Sequence, residues 1–179
     1  PATEERFTRL FASVYRSLSR DTDALPLAKR ALELSTQLYG ERALPTLRAQ
    51  SLLAWIQYWS DDYAAAVTTM QPVMQTLPKR LPAGSIELIE TRQRYANILA
   101  GAYRNTEAEA EFKRLLDELA AARPRLPDHE WRVADIDGDL AAAFTRAGRW
   151  QDALDLLRKH ADTYAAPPRN DIKSALNHQ

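Results

Sequence analysis

The run Asp135-Ile136-Asp137-Gly138-Asp139 has the residue types of a metal site. Alternating carboxylates supply oxygen ligands in a calcium loop, but an EF-hand loop also needs Gly as its sixth residue and Glu as its twelfth. Counted from Asp135, Gly138 is the fourth residue and Arg146 is the twelfth. We therefore expect no metal site here. The acids favour the start of a helix, where they complement its dipole.

Residues for catalysis have equally little support. The three histidines, at positions 129, 160 and 178, form no HExxH motif, and His129 suits a helix cap. Glu107, Glu109 and Glu111 could pair for acid–base work, but the start of a helix gives them a simpler role. There is no cysteine and there are only five glycines, which argues against thiol chemistry, disulfides and phosphate-binding loops. The sequence predicts neither an enzyme nor a cofactor.

Composition and charge describe a globular chain without an electrostatic preference. Of the 179 residues, 45% are hydrophobic and 27% are charged, with 24 basic and 24 acidic residues. Zero net charge gives no reason to expect nucleic acid or a membrane surface as a partner.

No apolar run approaches the roughly 18 residues of a membrane span, and the N-terminus lacks a signal-peptide core. The compartment stays open, with the cytoplasm favoured over an extracytoplasmic part of a larger membrane protein. A sequence that opens on Pro1 is expected to be a processed start or a piece of a longer protein.

A skeleton of helix-contact residues occurs four times. An apolar residue and alanine are followed by further large apolar residues and then by a second alanine, as in Leu140-Ala141-x-x-Phe144 with Ala153. The first alanines of the four units are residues 12, 54, 100 and 141. The second alanines are residues 24, 66, 110 and 153, and consecutive second alanines are 42, 44 and 43 residues apart. Small side chains suit the points where two helices cross closely. Apolar residues recur at spacings of three and four and hardly ever alternate, which predicts an all-α fold.

Breaks occur where a repeat of helix pairs needs them. Acidic or capping groups open each second helix, at residues 21–23, 60–62 and 105–107, with Asp152 in the last unit. Leu-Pro pairs precede the later units, at residues 44–45, 81–82 and 126–127. Proline disfavours helix in the residue before it and suits the first turn of the helix that follows.

These residues resemble the tetratricopeptide repeat over about residues 4–166. The best matches to its pattern are Leu53, Ala54, Tyr63, Ala66 and Pro78, together with the last unit and its hinge residue Gly148. The period is longer than the usual period of about 34 residues and resembles the variant of kinesin light chains and many bacterial signalling proteins. The resemblance implies a right-handed α-solenoid of about four antiparallel helix pairs, at about residues 4–40, 45–78, 84–122 and 128–166. Residues 167–179 would be a C-terminal cap or a truncated further repeat. HEAT or armadillo repeats are the alternative fold.

The resemblance also implies a candidate site, because the first helices of such arrays line a concave groove. Transferring the exposed groove positions by the Leu-Ala anchors selects Arg9, Arg16, Arg48, Trp55, Tyr58, Trp59, Arg94, Asn97, Arg104 and Asn105. Arginine forks grip carboxylates, asparagine can hold a peptide backbone, and Trp and Tyr act as anchors. The expected partner is an extended peptide with acidic residues and one large apolar side chain. The carboxylate-clamp subgroup needs Lys and Asn where this chain has Arg9 and Ser13, so a chaperone C-terminus is not expected.

Several of these residues also have an ordinary structural interpretation. Exposed arginine is common on helices, and the run from Leu52 to Ile56 is apolar almost all round, so Trp55 and Trp59 could belong to the core. Trp131 and Trp150 are interpreted as packing residues. The leading hypothesis is a protein-interaction module, a scaffold or regulatory domain of a larger signalling protein whose Ala- and Arg-rich composition suggests bacteria. A small-ligand sensing domain and a self-association module, with terminal helices stacked end to end, remain alternatives.

Overall fold

The computed structural model describes residues 1–122 and 129–159, which form helices and no strand. The helices are α1 (Ala2–Ser17), α2 (Asp21–Tyr39), α3 (Leu44–Trp59), α4 (Tyr63–Thr76), α5 (Ile86–Gly101), α6 (Asn105–Ala122), α7 (His129–Arg146) and α8 (Trp150–Lys159). A short 3₁₀ helix, Leu77–Lys79, follows α4. The predicted all-α fold is confirmed.

The eight helices form an α-solenoid of four antiparallel pairs. Within each pair the two helices pack along their length, and each second helix also packs against the first helix of the next pair. Consecutive first helices contact one another as well, α1 with α3, α3 with α5 and α5 with α7. The first helices therefore form one continuous layer.

Small residues lie where the helices cross, as the repeat predicts. Ala12, Ala24, Ala54 and Ala66 are completely buried, and Ala153 is nearly so. Large side chains fill the space beside these contacts; Phe112 and Met70 are completely buried in the larger of the two core clusters. Close approach at the alanines and filling by the large residues together give the dense packing that stabilises a helix pair.

The third pair differs from the predicted alignment, by four residues in its first helix and by two residues in its second. Ala108 is completely buried in α6, whereas Ala110 is exposed, so the predicted helix contact at Ala110 is wrong. Ala108 lies twelve residues after Ala96, the same spacing that separates Ala12 from Ala24 and Ala54 from Ala66. Ala96 is also completely buried. Ala96, and not Ala100, is therefore the structural counterpart of Ala12 and Ala54.

The turns inside the four pairs support this alignment. One residue in each turn has a positive φ: Ser19 (56°), Asp61 (59°), Tyr103 (59°) and Gly148 (76°). The next residue donates its backbone N–H to a carbonyl five residues earlier, over 2.9, 2.9, 2.9 and 2.8 Å. This is the hydrogen bond of a Schellman-type helix end, which glycine adopts most easily. Only the fourth turn has glycine, so the other three were not marked in the sequence.

Other local expectations have mixed outcomes. The Asp62 side chain accepts a hydrogen bond from the backbone N–H of Ala65, as a helix cap should. Pro45 lies in the first turn of α3, but Pro82 lies before α5, whose first residue is Ile86. Residues 135–139 lie inside α7, beyond its first turn, so they form no calcium loop.

Of the tryptophans interpreted as packing residues, Trp150 is 66% exposed, and that interpretation is wrong. Trp150 is the first residue of α8, and no described helix lies beyond α8 to cover it. The side chains of His129 and Trp131, the proline pair at 126–127, and residues 160–179 with His160 and His178 lie outside the described part.

Candidate peptide-binding groove

Two adjoining cavities form a groove along the layer of first helices. The first cavity, of about 690 Å³, is lined by residues of α1, α3 and α5 with one residue of the 3₁₀ helix. The second cavity, of about 370 Å³, is lined by residues of α3, α5 and α7. Glu90 and Arg94 line both cavities and mark their junction. A segment lying along the groove would contact at least three helix pairs.

Two of the four arginines that line the first cavity, Arg9 and Arg48, are neutralised by carboxylates of the chain. The Arg48 guanidinium forms two hydrogen bonds to Glu87, at 2.7 and 2.8 Å, and holds the pKa of that carboxyl below its usual value. Arg9 donates to the buried carboxylate of Glu5 at 2.9 Å, and Ser35 donates to the same oxygen at 2.9 Å. Arg9 and Arg48 line the groove, but each already has an anionic partner.

Arg94 differs from these two arginines. Within the described residues it forms no ion pair and no hydrogen bond, and Glu90 attracts it only from a longer distance. Its side chain is partly buried, and burial lowers the pKa of its guanidinium from the usual value. The guanidinium carbon lies 6.0 Å from the centre of the Trp55 ring, at the edge of the range for a cation–π interaction. Arg94 therefore offers an unneutralised cation at the junction of the two cavities.

The aromatic residues of α3 form one cluster at the second cavity. The rings of Trp55 and Tyr58 lie parallel, with centroids 5.0 Å apart, and Trp59 meets them edge-on at 5.6 and 5.3 Å. Arg16 lies over the Trp59 ring at 4.3 Å, with its Nε 3.4 Å from a carboxylate oxygen of Asp21. Trp59 is exposed, while Trp55 and Tyr58 are partly buried against the core. The cluster thus presents aromatic surface to the groove on a rigid base.

Gly101, the last residue of α5, makes room for this cluster. A Cβ atom at this position would lie 2.7 Å from a ring carbon of Tyr63 and 2.9 Å from one of Tyr58. Counted from the buried alanines 54 and 96, Gly101 occupies the position that Trp59 occupies in α3. The absence of a side chain here lets the tyrosines of the second pair pack onto the third.

A polar network forms the opposite wall of the second cavity. Asn97 and Gln93 donate to the same oxygen of Asp139, at 2.7 and 2.8 Å, and Gln93 also donates to Asp135 at 2.8 Å. Burial raises the pKa of Asp139, although the two amide hydrogen bonds act against that shift. Uncharged amides form the hydrogen bonds to both acids, while Arg146 attracts Asp139 without a direct ion pair among the described residues.

The structure brings together eight of the ten predicted site residues. Arg9, Arg48 and Arg94 line the first cavity, and Trp55, Tyr58, Trp59 and Asn97 line the second with Arg94. Arg16 joins them through Trp59. Arg104 and Asn105 lie instead at the turn between α5 and α6 and line neither cavity, and Arg104 binds Glu107 at 2.7 and 2.5 Å.

The displacement of Arg104 and Asn105 follows from the four-residue difference in the first helix of the third pair. With Ala96 as the anchor, the groove positions of α5 become Glu90, Gln93 and Asn97, and of these only Asn97 was predicted. Repeating the alignment on the twelve-residue alanine spacing would have found Gln93. The part played by Asp139 depends on contacts to α5 that the repeat pattern does not encode.

The combination of Arg94, the aromatic cluster and the polar wall suits the binding of a ligand. Among residues 1–122 and 129–159, no cluster of His, Cys, Asp or Glu has the geometry of a metal site. Within the same residues, no helix has both the length and the apolar character that a membrane span requires.

Comparison with known proteins agrees with the repeat and the fold. The tetratricopeptide repeat family model matches residues 6–77, which span the first two helix pairs. The fold is similar to the nearly identical TPR-like repeats of a Podosopora anserina protein provisionally assigned as a kinesin light chain. That match has a TM-score of 0.72 and 18% identity, and it covers 93% of this chain and 77% of the other. BtubC (BKLC) from P. vanneervenii is similar with a TM-score of 0.71 and 16% identity, over 92% of this chain and 66% of its own. No curated protein sequence matches the chain significantly.

The matched repeats and the solenoid define a protein-interaction scaffold of the α-helical repeat class. Residues 6–77 match the tetratricopeptide repeat model, and the solenoid is similar in fold to the TPR-like repeats of the two solved structures. Tetratricopeptide repeats indicate a module that binds other proteins, and the fold is generally non-catalytic.

Proposed function

We propose that this chain binds an extended peptide segment of a partner protein in the groove, with an acidic side chain of the peptide at Arg94. The observation that carries the proposal is the unneutralised, partly buried guanidinium of Arg94 beside Trp55. A carboxylate could accept a charge-assisted hydrogen bond there without displacing an internal ion pair. Arg9, Arg48 and Arg16 would first have to release Glu5, Glu87 and Asp21. Arg6 also lines the first cavity without an ion pair among the described residues, but it is exposed, whereas Arg94 is partly buried.

The cluster of Trp55, Tyr58 and Trp59 is the proposed seat for the large apolar side chain of the peptide. Rigid aromatic surface next to a desolvated charged group is a common composition of binding hot spots. Asp135 and Asp139, at the far wall of the second cavity, would disfavour a second acidic residue on that side. We therefore propose a peptide whose acidic residue precedes or follows an aromatic or aliphatic anchor, with neutral or basic residues beyond it. The proposal keeps the role expected from the sequence, a scaffold or regulatory domain of a larger cytoplasmic bacterial signalling protein.

The test is selection from a library of random twelve-residue peptides displayed on phage, with three forms of the protein. Arg94→Gln removes the proposed anion contact. Arg104→Gln is the matched control, because it loses the same charge on the same helix pair but outside both cavities. We expect the wild-type protein and Arg104→Gln to select peptides enriched in Asp or Glu near an aromatic residue, and Arg94→Gln to lose the acidic enrichment.

Affinity for one selected peptide gives the quantitative form of the same test. Replacing a hydrogen bond to a charged group removes about 1.5–3 kcal/mol, which weakens the Kd by about 10- to 100-fold. Equal affinity of Arg94→Gln and wild-type protein would refute the role of Arg94. Failure of all three forms to select any peptide would refute the peptide-binding function.

A further inference from the structure

The outer face of α1 carries an apolar stripe that nothing in the described residues covers. Phe7, Leu10, Phe11, Val14 and Leu18 follow the spacing of one helix face, and each side chain is between 43% and 62% exposed. Phe7 and Leu10 border the first cavity, whereas Phe11, Val14 and Leu18 extend away from it. Contiguous exposed apolar side chains of this size mark an interaction surface.

The interior of the same molecule shows what kind of element fits this stripe. Counted from the equivalent alanines 12 and 54, Phe11 and Val14 correspond to Leu53 and Ile56 of α3. Leu53 and Ile56 are buried in a core cluster with residues of α2. The stripe on α1 is therefore the counterpart of the surface of α3 that α2 covers. The helix α2 is the second helix of the pair that precedes α3.

The other end of the described array carries the complementary face. In α8, Leu154 and Leu157 are 43% and 42% exposed, as the counterparts of Leu25 and Ala28 in α2. Leu25 and Ala28 belong to the cluster that covers Leu53 and Ile56. The exposed face of α8 is thus of the same kind as the face of α2 that covers α3. No described helix covers α1 in that way.

We propose that α8 of one copy of this chain packs against α1 of a second copy, in the way that α2 packs against α3. The helix-end charges are compatible with an antiparallel contact, although Glu4 and Arg16 of α1 already form ion pairs with Arg30 and Asp21. α1 has acidic residues in its first turn and Arg16 in its last, while α8 has Asp152 in its first turn and Arg158 and Lys159 in its last. Antiparallel packing brings the acidic end of each helix to the basic end of the other.

The contact joins different surfaces of the two copies. It is therefore heterologous, and it adds copies in an open row instead of closing a symmetric dimer. The centre of this contact lies outside the groove, because Phe11, Val14 and Leu18 line neither cavity, whereas Phe7 and Leu10 border the first one.

Cross-linking between single cysteines tests this orientation, since the natural chain has no cysteine. Val14→Cys places a thiol on α1, Leu157→Cys places one on α8, and Ala110→Cys places a control thiol on the exposed side of α6. A short bis-maleimide reagent should join Val14→Cys to Leu157→Cys in a mixture, with one variant carrying a mass tag. Neither variant should cross-link with itself or with Ala110→Cys. Cross-linking of Val14→Cys with itself would indicate a symmetric contact between α1 helices and would overturn the proposal, as would the absence of any cross-link.

Sedimentation velocity over a range of concentrations provides an independent test. The wild-type chain should show an average mass that rises continuously with concentration. Phe11→Glu should weaken the association at least about tenfold, as expected for loss of a central aromatic anchor. Leu38→Glu, which changes an exposed leucine of α2 in the same way, should associate like wild type. A wild-type chain that stays monomeric throughout would show that another partner, or none, covers α1.

Discussion

The two cavities of the groove are neighbours, yet they balance their charges in opposite ways. In the first cavity, Arg48 and Arg9 are each held by a carboxylate of the chain. In the second, the carboxylates of Asp135 and Asp139 are held by the uncharged amides of Gln93 and Asn97. Arg94 lies between the two arrangements without an ion pair among the described residues.

The number of arginines in a groove therefore does not measure its affinity for acids. An arginine that already binds a carboxylate offers little to a ligand, because the existing pair has to be broken first. A single unpaired and partly desolvated arginine can contribute more than several paired ones. The expected preference for acidic peptides therefore becomes a local one, centred on the junction of the two cavities.

The comparison of the cavities depends on the alignment of the third helix pair. Substitutions at two alanines of α6 test that alignment, and they have the largest expected effect on the free energy of unfolding. Ala108→Leu should overpack a buried helix contact and lower the free energy of unfolding by about 1–3 kcal/mol. Ala110→Leu, at an exposed position of the same helix, should change it by less than about 0.5 kcal/mol. Urea unfolding followed by circular dichroism measures both. Equal effects, or a larger effect at Ala110, would contradict the alignment on Ala108 and support the alignment predicted from the sequence.

A second prediction compares the two kinds of charge balance directly. Asp139→Ala should lower the free energy of unfolding by about 1 kcal/mol, because Asn97, which is only 8% exposed, loses its acceptor. Arg48→Ala should have a smaller effect, because an ion pair as exposed as Arg48–Glu87 contributes only about 0–1 kcal/mol. Asp139→Asn, which keeps one acceptor oxygen, should lie between the two. A larger loss for Arg48→Ala would show that the first cavity holds the more important contact.

A third and smaller effect is the pH dependence of stability, which should have opposite signs in the two cavities. The pKa of Asp139 is raised in the fold, so its favourable contribution is present at acid pH and is lost as pH rises through the folded-state pKa. The pKa of Glu87 is lowered by Arg48, so its contribution is present above the unfolded-state pKa and is lost as pH falls through the folded-state pKa.

Urea unfolding between acid and neutral pH measures these contributions against isosteric variants. As pH rises, the stability of the wild-type chain should fall relative to Asp139→Asn and rise relative to Glu87→Gln. Two differences that change in the same direction would contradict the opposite charge balance of the cavities.

Much of the fold could be predicted because its determinants are local. Apolar spacings of three and four predict helices, and small residues at regular intervals predict close helix contacts. Three of the four pairs were aligned correctly on these signals. The third was aligned wrongly because Ala96 and Ala100, one helical turn apart, both suit a small-residue contact, and Tyr103 follows Ala100 by three residues as Phe144 follows Ala141. In the structure Tyr103 is the turn residue with positive φ and is 72% exposed.

Less of the groove could be predicted, because its properties depend on pairs that are distant in sequence. Arg48 meets Glu87 across 39 positions, and Gln93 meets Asp139 across 46. Residue types alone gave Arg48, Arg94 and Arg104 the same interpretation. Only the packing of neighbouring first helices distinguishes a paired arginine, an unpaired one and one at a turn outside the groove.

The all-α class and the repeat could be read from the sequence alone, because both depend on the periodicity of side chains along one helix. The layer of first helices was implied only by the resemblance to tetratricopeptide repeats. The tertiary structure decided the alignment of the third pair, the pairing of each groove charge and the exposure of Phe11 and Leu154. Those properties depend on which surfaces of different helices meet, and a spacing pattern within one helix carries no information about the neighbour.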